Sequence, residues 1–234
     1  MTRPAHAPDG PAAPAAAVSS VTFYGYFRSS ASWRCRIAFN LKGIAPEFVG
    51  VHLRRDGGEH KKPAYRAINP QQLVPALAVG STVLTQSLAI VEWLEETLPD
   101  PPLLPAEPLR RAAVRAFAHA IAMDIHPLGN LRVLSHLAGT AGWDAAAVHD
   151  WARHWISEGL AACELLLQGH GEHPYCFGDR PGLADLCLVP QLGNARRFGV
   201  DLDAFPRLAA VGRLCAGHPA FAAALPDRQS DAEP

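Results

Sequence analysis

The chain has 234 residues, 49 % of them apolar, with 21 Lys and Arg against 22 Asp and Glu and a formal net charge of −1. That length allows one large or two small domains around a real core, and the balanced charge gives no reason to expect a nucleic acid or an anionic membrane as partner. The five cysteines, Cys35, Cys163, Cys176, Cys187 and Cys215, are scattered and form no C-x-x-C pair, which argues against a disulfide framework or a metal cluster and for a reducing, cytoplasmic setting.

Residues 1–20 are rich in alanine and proline but lack the continuous apolar core of a secretory signal, so they are expected to be a disordered tail. No segment offers the roughly 18 uninterrupted apolar residues of a membrane span. Residues 21–26 read as a strand, 30–42 as a basic, amphipathic helix stopped by Gly43, and 47–53 as a second strand. A right-handed crossover makes these two strands parallel neighbours. A short irregular helix over 60–67, a hairpin of residues 75–79 and 82–84 across Gly80-Ser81, and a helix from Ser87 to Thr97 complete the order βαβαββα. The five prolines between residues 98 and 108 cannot continue a helix and mark an inter-domain linker. From Leu109 onward, alanine- and leucine-rich stretches separated by glycine and proline breaks read as helices. The expectation is an α/β thioredoxin-like domain over 21–104, an all-α domain over 105–226 and a tail from 227 to 234.

The most informative stretch runs from Tyr24 to Phe39, where a strand enters the hydroxyl-rich Ser29-Ser30-Ala31-Ser32 at the start of a helix. The first N–H groups of a helix lack intrahelical partners, and with the macrodipole they favour a carboxylate, phosphate or thiolate placed there. Ser29, Ser30 and Ser32 add donors, although each is equally an ordinary N-cap. Gln86-Ser87 stands at a second strand-to-helix junction, where Ser87 can likewise cap. His126-Pro127 with Asn130 and Arg132 falls in the first long helix of the second domain, residues 126, 130 and 133 being neighbours on one helix face. There His126 has the choice of bonding backbone beside the proline, and Arg132 of forming a surface ion pair. A guanidinium also suits a carboxylate, because its planar fork binds both oxygens, and Arg28, Arg132 and Arg197 are the candidate cations.

The segment Ser29-Ser30-Ala31-Ser32-Trp33-Arg34-Cys35-Arg36-Ile37-Ala38-Phe39 resembles the pattern Ser-Ser-Cys-x-x-Arg-x-Arg-Ile-Ala-Leu of the zeta class of glutathione transferases. Val74-Pro75, Gln86-Ser87 and the stretch from Asp124 to Leu134 fit the same class, and the likeness covers residues 21 to 226. Ala31 departs from it, standing where the class usually has cysteine. The resemblance implies the glutathione transferase architecture, glutathione as cofactor and a homodimer. It implies a glutathione-dependent cis–trans isomerase acting on maleylacetoacetate, with maleylpyruvate or conjugation of small electrophiles as alternatives. It further implies a cis Pro75 that exposes the Val74 backbone to the cysteinyl group. Gln86 and Ser87 then hold the γ-glutamyl end, and His60 touches the glycine end. Ser29 and Ser30 stabilise the thiolate, and Ala31 is part of the glutathione-binding set with them. His126, Asn130 and Arg132 reach over the tripeptide, and Arg28, Arg132 and Arg197 hold substrate carboxylates. Gly182-Leu183-Ala184-Asp185 resembles the family's Ser/Thr-x-x-Asp helix cap, which makes Asp185 structural, and no metal is expected.

Overall fold

The computed structural model describes residues 21–233, so the expected N-terminal tail lies outside the described residues. Four strands form one mixed sheet in the order β2-β1-β3-β4. β1 (Val21–Gly25) pairs in parallel with β2 (Glu47–Gly50) and antiparallel with β3 (Ala76–Val79), which pairs antiparallel with β4 (Thr82–Thr85). The two-residue turn at Gly80-Ser81 has Gly80 at φ 57, a conformation glycine adopts without steric cost. Between the strands lie α1 (Ser30–Leu41) and α2 (Pro63–Ile68), and α3 (Ser87–Thr97) follows the hairpin, giving the βαβαββα order.

Two details differ from the sequence reading. The second strand ends at Gly50 rather than Leu53, because the His52 ring accepts the backbone N–H groups of Arg54 and Arg55 and turns the chain away from the sheet. Helix α1 is not amphipathic: Trp33, Cys35, Ile37 and Phe39 are buried, and so are Arg34 and Arg36. Arg36 is satisfied by the carbonyls of Tyr26, Phe27 and Ala224. A helix buried on every side is the centre of a protein rather than its skin.

Six further helices form the second half: α4 (Pro108–His119), α5 (Leu131–Gly139), α6 (Ala145–Gln168), α7 (Leu183–Arg197), α8 (Pro206–Ala216) and α9 (Pro219–Ala223). Their starts follow local chemistry. Glu107 caps α4 ahead of Pro108, Asn130 caps α5 and Asp144 caps α6. Helix α7 runs through the core against α1, α4 and α8, with Leu183, Leu186, Leu188 and Leu192 fully buried. Asp185 accepts the N–H groups of Gly182 at 2.8 Å and Cys176 at 3.0 Å. A Cβ on Gly182 would lie 2.7 Å from the Leu103 carbonyl oxygen, which explains glycine at a position where the family pattern has a hydroxyl residue.

The linker is pinned by charge. Lys42, its side chain fully buried, donates to Glu95 at 2.6 Å and to the Leu98 and Pro101 carbonyls, while Glu95 accepts the Leu103 and Leu104 N–H groups. The segment from residue 227 returns to the first half: Asp231 accepts the Phe27 N–H at 2.9 Å, and Glu233 bonds His52 and Arg55.

Candidate active site

Two adjoining cavities, of about 780 and 580 Å³, share the walls Gln71, Leu73, Val74, His126, Asn130 and Arg132. Ala31, Gln86 and Ser87 line the larger one; Arg28, Ser29, Ser30, His60 and Arg197 line the smaller. The Val74–Pro75 peptide between them is cis.

The two serines have their lone pairs engaged and their protons free. Ser29, the N-cap of α1, accepts the Ser32 N–H at 3.2 Å. Buried Ser30 accepts from the Asn194 side-chain amide at 2.9 Å. A hydroxyl that accepts from an N–H keeps its own O–H for another partner, so both can donate toward an anion beside the first turn of α1, whose leading amides point the same way.

At the second junction, Gln86 precedes α3 with φ 69, a left-handed conformation uncommon outside glycine. Its side-chain amide donates to the Gln71 side-chain oxygen Oε1 at 3.0 Å. Behind Ser87 lies Arg34, only 2 % exposed, with Nε and Nη2 lacking a partner among the described residues. His126 faces the same wall with a buried, unpartnered Nδ1. Burial, reinforced by Arg34, lowers its pKa to about 3, so the ring is neutral at physiological pH.

The smaller cavity is strongly cationic. Arg28 stacks over Phe27 and Arg197 over Phe198. Among the described residues neither they nor Arg54 nor Arg132 have a carboxylate within 4.0 Å. Desolvation, then Arg54 and Arg28, lowers the pKa of Arg197. Like charges gathered without counter-charges favour an anionic ligand. Among the described residues no group of three or more His, Cys, Asp or Glu side chains is placed to hold a metal, and no helix is long and apolar enough to cross a membrane.

Comparison with known proteins fits this geometry. The family models for the glutathione S-transferase N-terminal and C-terminal domains match residues 28–97 and 144–223. A maleylacetoacetate isomerase of Pseudomonas aeruginosa is 53 % identical over 209 residues, covering 89 % of this chain and 97 % of that protein. The holo structure of a maleylpyruvate isomerase, described as a bacterial zeta-class glutathione S-transferase, superposes with a TM-score of 0.87 at 48 % identity, covering 91 % of this chain and 100 % of that one. A maleylacetoacetate isomerase of Methylobacterium extorquens AM1 with bound malonate and glutathione gives the same TM-score at 41 % identity, with the same coverage. The chain belongs to the zeta-class glutathione S-transferases.

In this transferase every candidate ligand-binding residue named from the sequence lines one of the two cavities except Ser32, which is fully buried, its hydroxyl accepting the Tyr26 N–H. One relationship among them needs correction: His126, Asn130 and Arg132 do not share a helix. The helix that begins at Pro108 widens into a π-helical turn over Ala120–Ile125 and tightens into a 3₁₀ turn over His126–Gly129. Pro127 lacks an N–H for a continuing ladder, and Asn130 turns to an extended conformation to cap α5. The break lets His126, Asn130 and Arg132 reach both cavities.

Sequence reasoning missed Asn194, Arg34, Tyr26 and Arg54. Asn194 was within reach, since it precedes Arg197 by three positions and so shares its helix face. Nothing in the local pattern distinguishes Arg54 from Arg55.

Proposed function

We propose that this zeta-class transferase is a glutathione-dependent cis–trans isomerase that converts maleylacetoacetate to fumarylacetoacetate. The observation that carries the reading is the pairing, across one cavity, of two serines with free O–H donors at a helix start and several arginines without counter-charges. The chain's own groups fit glutathione: the unpartnered Arg34 nitrogens stand behind Ser87 at the start of α3, and the cis Val74–Pro75 peptide borders both cavities. The relatives named for this reaction, one of them with glutathione and the dicarboxylate malonate bound, support it further.

Ser87, Gln86 and the leading amides of α3 would hold the γ-glutamyl carboxylate of glutathione, the Val74 backbone its cysteinyl part, and His60 its glycine end. Glutathione, when bound, supplies the sulfur that adds reversibly to the conjugated double bond and so frees it to rotate. Ser29, Ser30 and the first amides of α1 favour the ionised sulfur, since donors and a helix start lower a thiol pKa from about 8.5. Asn130, neutral His126 and Arg132 cover the site from above. Arg28, Arg132 and Arg197 bind the substrate carboxylates and hold the charge that grows on the neighbouring carbonyl, a task in which one oriented donor is worth about 3 kcal/mol. Ala31 leaves no protein thiol at this centre, so the reaction runs on the glutathione sulfur alone.

The deciding experiment follows maleylacetoacetate and maleylpyruvate in parallel, with and without glutathione, while free thiol is titrated. Glutathione-dependent turnover without thiol loss is the expected result. Stoichiometric thiol consumption would replace the reading by conjugation. The 0.87 TM-score to a maleylpyruvate isomerase makes maleylpyruvate the second candidate substrate, and the ratio of the two kcat/KM values decides between them. We also propose a cytoplasmic homodimer: the five free, buried thiols suit a reducing compartment, and exposed apolar side chains such as Val83 and Met123 can be covered by a second copy. A monomer by light scattering at micromolar concentration would refute the dimer.

A further inference from the structure

Residues 229–233 are stitched to the two loops that carry Arg28 and Arg54, two of the cavity's cations. Past the end of the C-terminal family match at residue 223, the Gln229 side-chain amide donates to the Ala223 and Leu225 carbonyls and directs the chain back toward the sheet. Asp231 then packs beside Gly50 and accepts the N–H of Phe27, which lies between cavity residues Tyr26 and Arg28. Glu233 Oε2 lies 3.1 Å from His52 Nε2, and its other oxygen takes Arg55.

His52 relays this contact. Its Nδ1 accepts two backbone N–H groups, Arg54 at 3.1 Å and Arg55 at 2.7 Å, so the ring proton must sit on Nε2, where Glu233 receives it. The ring also stands edge-on to Tyr26 at 4.9 Å. Arg54 begins the turn that this relay fixes, and its side chain is exposed, unpaired among the described residues and part of the cavity wall with Arg28 and Arg197. The guanidinium groups of Arg28, Arg54, Arg132 and Arg197 around one cavity repel one another, and a fixed backbone limits how far they can splay apart. Carboxylates from the C-terminal segment bind beside two of them without neutralising either.

We infer that Arg54 is a specificity-determining residue that reads the second carboxylate of a dicarboxylate substrate, and that Glu233, through His52, is its positioning residue. The inference rests on the proposed function for the identity of the substrate, and on the geometry alone for the site. A substrate with one carboxylate is served by Arg28, Arg132 and Arg197 and gains little from Arg54. A substrate with two gains a fourth guanidinium on the exposed side of the cavity, which makes charge count the selected property.

The test compares maleylacetoacetate, with two carboxylates, and its one-carboxylate analogue maleylacetone at saturating glutathione, together with glutathione affinity by calorimetry. Arg54→Gln is expected to raise KM for the dicarboxylate about tenfold with kcat within about twofold, and to leave the monocarboxylate KM and the glutathione Kd within about twofold. Glu233→Ala should give the same pattern at about threefold, and Glu233→Gln, which still accepts from His52, should restore most of it. Equal KM changes for the two substrates, or a weakened glutathione affinity, would overturn the assignment of Arg54. An unaltered KM in Glu233→Ala would overturn the relay. If the wild-type protein turns over neither compound, the proposed reaction fails by itself, and binding of maleate against monomethyl maleate to the glutathione-loaded protein decides the inference. Arg54→Gln must then weaken maleate about tenfold and leave the ester unchanged.

Discussion

Arg34 donates through Nη1 to the Ser87 hydroxyl 3.3 Å away, both side chains being buried in the wall of the larger cavity. A guanidinium has only donors, so this bond occupies a lone pair of Ser87 and leaves its proton for the cavity. No carboxylate among the described residues pairs with Arg34, and its charge adds to the positive end of α3. Burying an unpaired charge costs stability, and replacing it with an apolar group of similar volume is often neutral or favourable. Arg34→Met is therefore expected to weaken glutathione binding about tenfold while leaving the melting temperature unchanged or raised. Ser87→Ala should weaken binding by a similar factor, and the double variant should lose much less than the product. Fully multiplicative losses would show that the pair does not act together.

Asn194 is expected to set the direction of the Ser30 hydroxyl. Its amide donates to Ser30 Oγ at 2.9 Å, which leaves the hydroxyl proton free, and in the proposed reaction the sulfur would receive it. Asn194→Asp keeps the shape but turns a donor into an acceptor, so Ser30 donates to the new carboxylate on α7 instead of to the cavity, and a negative charge joins the site. A rise in the pKa of bound glutathione, read from thiolate absorbance, and a fall of about a hundredfold in kcat/KM are expected. A bound-thiol pKa that does not move would remove Ser30 from thiolate stabilisation.

All five cysteines are buried, and burial raises the pKa of each thiol: Cys187 to about 11, Cys163 to about 12, and Cys35, Cys176 and Cys215 also upward. The thiolate is the reactive form. With Ala31 in place of the usual active-site cysteine, iodoacetamide at about pH 7.5 should leave activity and intact mass unchanged over an hour. Rapid inactivation with one label per chain would show that a buried thiol is reached through an opening absent from this structure.

The order of elements was legible because each has a local cause: alternating burial in Val21 to Gly25, the glycine turn at Gly80, and the prolines of the linker. The cavity residues were legible where they sit at strand-to-helix junctions, as Ser29, Ser30 and Ser87 do. Three features were not. The π-helical turn before Pro127 has no local signature, so the sequence reads there as uninterrupted helix. Arg34 and Arg36 look like the polar face of α1 until the second half of the chain covers them. Arg54 stands out only through the cavity it lines with Arg28, Arg132 and Arg197, and its turn is held by His52, which Glu233 contacts from the opposite end of the described chain; local periodicity carries no information about such contacts.

His126 should make stability depend on pH. Its folded pKa of about 3 lies below the unfolded value of about 6.5, from burial first and Arg34 second. Between these values the unfolded chain binds the proton and the folded one does not. The neutral ring's contribution is therefore complete above about pH 6.5 and is lost as pH falls toward about 3. At about pH 5 the loss is on the order of 2 kcal/mol relative to about pH 7.5. Urea midpoints at those two pH values for the wild type and His126→Gln check this: the glutamine variant should be the less pH-sensitive by that amount. Parallel falls in both proteins would mean that His126 takes up its proton while folded.

Trp151 holds the turn that carries His126 and Asn130. Its indole N–H donates to the Leu128 carbonyl at 2.8 Å, bridging α6 to the 3₁₀ turn, and its ring packs edge-on to Trp143 and Trp155. Trp151→Phe preserves an aromatic ring and removes the donor, leaving a half-buried carbonyl unpaired. The expected cost is about 1 kcal/mol, which for a chain of this size lowers the melting temperature by about 2–4 °C. A turn released from α6 also misplaces His126 and Asn130, and small displacements of positioning groups are expensive in rate. Glutathione Kd should therefore rise about three- to tenfold at a temperature where the variant is fully folded. A lowered melting temperature with unaltered glutathione affinity would reduce Trp151 to a packing residue and leave the turn held by Asn130 alone.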